Sequence, residues 1–347
     1  MQPIEVGVLG ATGMVGQQFA LQLANHPWFS LTWLAASERS EGRRYRDAAP
    51  WRLPVPIPSD VADRRVEGCT PGRGPKVVFS ALDASVAGDI EQAFAAAGHI
   101  VVSNARNYRM DAVVPLLVPE VNPDHLALTA RQCAARGWKG AIVTNPNCST
   151  VFLAMVLAAL RDFEPRAVVV STMQAVSGAG YPGVASLDIL GNVVPFISGE
   201  EEKMESETKK ILGRVAADGI EPHGVAISAH TNRVPVVNGH TETISVGFGV
   251  RPPEAEIKSA LVKFAGKPQA LALPTAPRQA IEYLEEQNRP QPRLDVDRGS
   301  GMTVTVGRLR TCRVLDYKLV ALGHNTVRGA AGAAVLNAEL MHAEGRL

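Results

Sequence analysis

Cysteine is scarce in this chain, with four in 347 residues, at positions 69, 133, 148 and 312. They form no CxxC pair and do not cluster with histidine, so neither a disulfide framework nor a zinc site is indicated. Reduced thiols in a cytoplasmic protein are the remaining expectation. An excess of charge is missing too: 35 Lys and Arg stand against 34 Asp and Glu, a formal net charge of +1. That balance gives no electrostatic case for nucleic acid or an anionic membrane as partner. A long unbroken apolar run is also absent. Val6 to Ser37 carries no Asp, Glu, Lys or Arg, but Gly10, Gly13, Gly16, Asn25, His26 and Pro27 interrupt it. With no basic start and no small-residue cleavage site, it reads as neither signal peptide nor membrane span.

What is present is globular. Hydrophobic residues make up 46% and charged residues 20% of the chain, enough to fill a sizeable core, and the length suits two domains. No internal repeat is visible. "IEVGVL" (4–9) predicts a strand, "GATGMVG" (10–16) a glycine turn, "QQFALQLANH" (17–26) a helix and "LTWLAAS" (31–37) a second strand. Strand, turn, helix and strand make a βαβ unit and favour a parallel sheet. Gly10, Gly13 and Gly16 are spaced GxxGxxG, close to a dinucleotide fingerprint. Glycines there let backbone approach a pyrophosphate at a helix N-terminus. The bland alternative is a tight turn without ligand, and the place between strand and helix favours the cofactor. After the second strand, Glu38 suits a ribose hydroxyl and NAD. Arg39, flanked by Ser37 and Ser40, suits the 2′-phosphate of NADP, which is the preferred reading. "EGRRYR" adds cations nearby. Further strands at 76–83, 99–105 and 140–147, with a helix over 86–98, extend one doubly wound unit to residue 148.

That unit ends on "TNPNCST" (144–150), with an uncharged helical run behind it. A thiol at a helix N-terminus meets the positive end of the dipole and unpaired N–H groups. These lower its pKa from about 8.5 toward neutral, and the same N–H groups can hold an oxyanion. A buried cysteine acting as a small hydrophobe is the plain alternative. It is preferred for Cys69, Cys133 and Cys312, whereas the strand-end position and polar frame make Cys148 a nucleophile candidate. Beside a nicotinamide site, such a cysteine implies a thioester intermediate.

Beyond the helix at 149–161 the pattern changes. Strand-like stretches at 166–180, 224–250, 302–312 and 317–324, with an amphipathic helix over 199–212, predict an α+β domain with a largely antiparallel sheet. Residues 266–300, rich in Pro and Arg, read as a long excursion. A final helix over 325–342 has small early residues that would let it pack back on the first domain. His240 is a general base or a turn histidine satisfying backbone, and spacing alone favours the turn. Arg233 is a carboxylate clamp or an ordinary salt-bridge partner.

Six motifs in this order, GATGMVG, NPNCST, QAVSGAG, GEEEK, TNRVPVVNGHTE and HNTVRGAAGA, resemble aspartate-semialdehyde dehydrogenase in its archaeal and fungal form. The resemblance spans nearly the whole chain. It implies a Rossmann-type doubly wound sheet (1–148 with 325–347) binding NADP, and an α+β catalytic and dimerisation domain with a largely antiparallel sheet (149–324). The implied reaction is NADPH-dependent reduction of β-aspartyl phosphate to aspartate semialdehyde, in lysine, threonine and methionine biosynthesis. The implied enzyme is a cytoplasmic homodimer or homotetramer without metal. By the same resemblance Cys148 is the nucleophile, His240 the acid/base group and Gln174 the residue orienting the acyl group. Arg233 takes the substrate carboxylate, Glu200 faces its amine, and Arg109, Asn147 and Lys203 bind phosphate. The cofactor falls to Gly10, Ala11, Thr12, Gly13, Met14 and Val15, with Ser37, Arg39 and Ser40 at the ribose phosphate and Ser177, Gly178 and Asn325 at the nicotinamide half. A malonyl-CoA reductase on the same scaffold is the alternative activity. A binding paralogue without catalysis is the alternative class, and the intact Cys148, Gln174, Arg233 and His240 argue against it.

Overall fold

The computed structural model describes residues 2–347. Its first unit contains strands β1 (Ile4–Leu9), β2 (Phe29–Ala36), β3 (Glu67–Gly68), β4 (Val77–Ser80), β5 (Ile100–Ser103) and β6 (Ala141–Thr144). They lie in the order β3-β2-β1-β4-β5-β6, all parallel. Helices α1 (Met14–Gln22), α2 (Ala84–Ala97) and α3 (Leu128–Arg136) make crossovers. Every residue of β4, β5 and β6 is buried. Strands covered on both faces need continuous apolar runs rather than alternation, which is what the sequence supplies. The strand order reverses between β1 and β4, so a ligand crevice opens at the carboxyl ends of these strands. Helix α1 begins at Met14, three residues ahead of the sequence expectation, and stops at Gln22 before Asn25 at φ 56° and Pro27.

The second unit starts with α4 (Cys148–Ala159), then β7 (Pro165–Gln174) and α5 (Glu200–Ile211). A hairpin of β8 (Arg214–Ala216) and β9 (Gly219–Glu221) leads to β10 (Ala226–Arg233), β11 (His240–Phe248) and α6 (Glu254–Lys263). Strands β12 (Ile281–Leu284), β13 (Val304–Thr311) and β14 (Tyr317–Gly323) complete a sheet ordered β10-β7-β11-β14-β13-β12. The sheet is mixed: its three central pairings are antiparallel and its two outer ones parallel. The excursion at 266–300 thus contributes an edge strand. The hairpin, α3, α6 and the two-residue β3 carry too little periodicity to stand out in the sequence.

Helix α4 is buried almost all round, with Phe152, Leu153 and Val156 packed in one core with Val170, Ile244 and Val306. This burial explains the run without charge. Helices α4, α5 and α6 cover one face of the second sheet. On its other face Val169, Ser228 and His230 are exposed. The chain ends with a π turn at Val327–Ala331 and α7 (Gly332–Ala343), where one continuous helix was expected. Val335, Leu336 and Leu340 of α7 lie in the core of the first unit. Cys69 and Cys133 are partly buried against cores, as small hydrophobes would be. Cys312 is not a core residue: it sits in the β13–β14 turn, its Sγ accepting the Leu315 N–H at 3.5 Å.

Candidate active site

Cys148 is the first residue of α4, directly after the carboxyl end of β6. Its Sγ lies 3.2 Å from Nε2 of His240, the first residue of β11. The two are 92 residues apart in sequence. Asn147 caps the helix, its Oδ1 accepting from the N–H of Ser149 at 3.0 Å and of Thr150 at 3.3 Å. That cap withdraws two of the first helical N–H groups from any oxyanion, contrary to the sequence expectation. The π turn presses on the cysteine from the other side. A Cβ at Gly329 would stand 2.7 Å from the Cys148 Cβ, so only glycine fits there.

A cavity of about 490 Å³ opens over this pair, lined among others by Arg109, Asn147, Glu200, Lys203, Arg233 and Asn325. Glu200, at the start of α5, accepts from Asn147 Nδ2 at 2.6 Å, Gln174 Nε2 at 3.3 Å and Lys203 Nζ at 3.1 Å. Gln174 also donates to Ser149 Oγ at 2.8 Å. Arg233 ends β10 and donates to the Ala175 carbonyl at 2.8 Å. Asn325 ties the two units together, donating to Ser177 Oγ at 2.8 Å and accepting the Gly239 N–H at 2.9 Å. Gly178 packs on the arginine and histidine, where a Cβ would come within 2.9 Å of Arg233 Nη1.

The electrostatics depart from the sequence expectation. Cys148 keeps some surface on the cavity, yet desolvation by the surrounding protein, with the Glu200 carboxylate second, pushes its thiol up to about 12. Arg109, Arg233 and the Ser149 N–H act in the lowering direction and are outweighed. The expected near-neutral thiol is therefore not the resting state. Burial foremost, then Arg233 and His324, holds the His240 ring down at about 3 rather than near the free imidazole value. Cysteine and histidine rest as a neutral pair.

The glycine turn sits where β1 meets α1. Gly10, at φ 73°, has the Ala81 carbonyl 2.6 Å from where a Cβ would be, and a Cβ at Gly16 would meet the Gly10 carbonyl at 2.3 Å. These two glycines shape the turn, and Ala11 is buried with its N–H on the Ala35 carbonyl. Gly13 is the N-cap of α1, with no side chain capping the helix. Thr12, Gly13 and Met14 line a cavity of about 390 Å³ together with Ser37, Arg39 and Ser40. Met14 and Val15 also line the Cys148 cavity, so the turn connects both spaces. Glu38 lines a neighbouring pocket with Arg39 and Cys69 and does not border the Thr12–Ser40 space.

Several contributors went unnoticed in the sequence. Glu207 binds Arg109 Nη1 at 3.0 Å and the Asn147 N–H at 2.6 Å. Lys210 donates to the carbonyls of Arg109, Asp111 and Val114 at 2.6, 2.8 and 2.9 Å, and burial lowers its pKa to about 8. Glu200, Lys203, Glu207 and Lys210 recur at helical spacing, so one face of α5 was the available signal. Gln17 is buried and donates to the Thr12 carbonyl at 3.0 Å while accepting the Arg52 N–H at 2.8 Å. Arg52 in turn lies 4.3 Å over the Tyr181 ring. These contacts join distant segments, and no local pattern announces them.

A doubly wound unit with an uncapped glycine turn, joined to a mixed-sheet unit that carries a paired cysteine and histidine, is the architecture of a nicotinamide-dependent dehydrogenase. The comparisons sharpen this. Family models described as "Semialdehyde dehydrogenase, NAD binding domain" and "Semialdehyde dehydrogenase, dimerisation domain" match residues 5–129 and 157–328. The chain is 51% identical to aspartate-semialdehyde dehydrogenase of Archaeoglobus fulgidus, over 97% of each chain. It is 50% identical to that of Cryptococcus neoformans, over 97% of this chain and 96% of the other. The crystal structure of the Candida albicans enzyme with NADP superposes with a TM-score of 0.92 at 45% identity, covering 100% of both chains. The chain belongs to the aspartate-semialdehyde dehydrogenase family.

Proposed function

We propose that the protein reduces β-aspartyl phosphate with NADPH to aspartate semialdehyde and phosphate, through a thioester on Cys148. The observation that carries this is the Cys148–His240 contact of 3.2 Å, with Cys148 lining a cavity that also reaches Met14 and Val15 beside the glycine turn. NADPH, when bound, would supply the hydride. The residues present fit it, because the first N–H groups of α1 are uncapped and Gly13 leaves space for a pyrophosphate. Arg39, which lines one cavity with Ser37, Ser40 and the glycine turn, would hold the 2′-phosphate by its guanidinium.

The substrate's parts find partners by charge. Arg233 suits the carboxylate and Glu200 the amine. Arg109 and Lys203 suit the phosphate. Two arginine nitrogens are held by Glu207 and the Asn104 carbonyl, while its buried Nε has no protein partner and is free to donate. Asn147 has its side chain committed to the cap and Glu200, so in this reading it acts by holding Glu200 and the helix start. Attack of the Cys148 sulfur on the acyl carbon expels phosphate, whose charge the cations collect. Hydride addition to the thioester gives a hemithioacetal oxyanion, which collapses to aldehyde and thiolate.

We further assign residues 1–148 and 325–347 to the cofactor unit and 149–324 to the catalytic and dimerisation unit. The place of α7 in the first core supports this division. The open face of the second sheet, with Val169 at 46% exposure, is the surface for a second copy in a cytoplasmic homodimer. A tetramer is the other assembly, and size-exclusion chromatography separates the two. The test of activity is NADPH absorbance with NADP, phosphate and aspartate semialdehyde, using Cys148→Ala as control. Phosphate-dependent NADPH formation lost in the variant is expected. Oxidation of NADPH by malonyl-CoA alone would reassign the substrate, and silence in both assays would leave a binding protein.

A further inference from the structure

On the face covered by α4, α5 and α6, the second sheet changes character from row to row. Arg233, Gln174 and His240 form the row at the active site, on the adjacent strands β10, β7 and β11. Two rows further in, Ala229, Val170 and Ile244 lie in one apolar core. The row between these two is polar: Thr231 is paired with Thr172, and Thr172 with Glu242. Thr231 is 1% exposed, and Thr172 and Glu242 are 0% exposed. Opposed residues of antiparallel strands have Cβ atoms about 5 Å apart on the same face, so these side chains share one space.

No member of this row has a protein partner. The hydroxyls of Thr172 and Thr231 and both carboxyl oxygens of Glu242 make no hydrogen bond to the chain. Ala321, opposite Glu242 on β14, has no side-chain polar group to offer. The buried titratable and charged groups on the surrounding elements are Arg233 and His240 in the next row, Cys148 of α4, and Glu200, Glu207 and Lys210 of α5. None of them bonds the Glu242 carboxyl, and the three on α5 are committed to Asn147, Arg109 and backbone carbonyls.

Two consequences follow. A carboxylate enclosed without a cation or a donor gives up its charge by binding a proton. Burial is the one force on the titration of Glu242, and it acts upward. Once neutral, the group offers an O–H donor and a carbonyl acceptor, and the two threonine hydroxyls each add a donor and an acceptor. Wholly buried polar groups that lack protein partners are where proteins hold internal water, which takes about three hydrogen bonds.

We propose that Glu242 is an uncharged acid at neutral pH and, with Thr172 and Thr231, binds ordered water in a closed polar layer beneath the active-site row. Glu242 is a positioning residue, since it touches neither substrate nor cofactor. It acts through the strands: Gln174 and Arg233 each stand two residues beyond a threonine of the layer. Water held by three side chains on three strands ties those strands at this level, where the apolar core has ended.

The deciding measurement is the infrared difference spectrum of wild type against Glu242→Gln near pH 8, with no ligand present. The expected result is the C=O stretch of a protonated carboxylic acid in wild type, lost in the variant. Loss of a carboxylate band in its place would overturn the proposal. A high-resolution crystal structure is expected to show water within hydrogen-bond distance of Glu242 and of Thr172 or Thr231, and a dry layer would overturn it. Neither readout needs turnover, so their failure is distinct from a failure of the assigned activity. Kinetics test the positioning role. Glu242→Gln keeps shape and neutrality, so kcat, KM and the pH profile of Cys148 alkylation should match wild type; a displaced profile would mean that Glu242 carries charge. Glu242→Leu removes the water's partners, and Thr172→Val is the milder variant should Leu fail to fold. Either should lower kcat/KM on the order of tenfold through misplaced Gln174 and Arg233. A folded Leu or Val variant as active as Gln would overturn the positioning role.

Discussion

Glu207 Oε1 lies 3.0 Å from Arg109 Nη1, joining the middle of α5 to the loop beyond β5. The same carboxylate takes the Asn147 N–H through its other oxygen. One buried side chain thus sets the height of Arg109, the arginine proposed to take the phosphate, and the start of the cysteine helix. Glu207→Gln keeps the shape and removes the charge. A hydrogen bond to a charged group contributes about 1.5–3 kcal/mol, so KM for phosphate should rise on the order of 10–100-fold. Steady-state kinetics in the oxidative direction check this, and an unchanged phosphate KM would show that Arg109 needs no such support.

Gly329 fixes the other side of the cysteine. In Gly329→Ala the new Cβ would overlap the Cys148 Cβ at 2.7 Å, so sulfur or π turn must shift. A displacement near 1 Å at a reacting centre costs on the order of 10²-fold in rate. The expected outcome is that loss in kcat with NADP binding, read by fluorescence titration, preserved.

The thiols should label in an order opposite to their proximity to chemistry. Hydrogen bonding from the Leu315 N–H lowers the half-buried Cys312 thiol, whereas burial raises that of Cys148 to about 12. The Cys148 thiolate is then on the order of 10⁻⁴ of the total near pH 8, and its alkylation should climb about tenfold per pH unit. Iodoacetamide labelling read by peptide mass should mark Cys312 first. Glu200→Gln removes a raising charge and should speed Cys148 labelling at fixed pH. Fast labelling of Cys148 in the ligand-free protein at neutral pH would contradict the burial argument.

The proposed reading rests cofactor choice on Arg39. Arg39→Leu should lower kcat/KM for NADP on the order of 10–100-fold and leave that for NAD nearly unchanged, since only the 2′-phosphate contact is removed. Equal losses for both cofactors would mean the side chain supports the loop rather than reading the phosphate.

Stability rests in part on a pair with no solvent contact. Arg328 in the π turn donates to Glu120 Oε2 at 2.6 Å, both side chains at 0% exposure. Arg328→Met strands a buried carboxylate and should cost about 3–5 kcal/mol, while the double variant Arg328→Met with Glu120→Leu should recover much of it. Thermal denaturation of the wild type and both variants is the check.

The sequence by itself determined most of the elements and some of the chemistry-bearing residues. Continuous apolar runs marked β4, β5 and β6 because strands covered on both faces require them, and Gly10 marked the turn because it needs positive φ and a side-chain-free approach to Ala81. The polar frame of Cys148 set it apart from the other thiols for a local reason, the start of a helix. Tertiary structure alone decided what those residues are like. It buried Cys148 and His240 together, reversing the expected ionisation of the thiol, because desolvation depends on everything packed around a group and not on its neighbours in the chain. It drew Glu207 to Arg109 across 98 residues, and it turned the Ala175 N–H onto His240 from the turn after β7. A hydrogen bond between distant segments leaves no spacing to read. That is why Cys148 could be singled out in the sequence, while the burial that sets its ionisation and its contact with His240 could not.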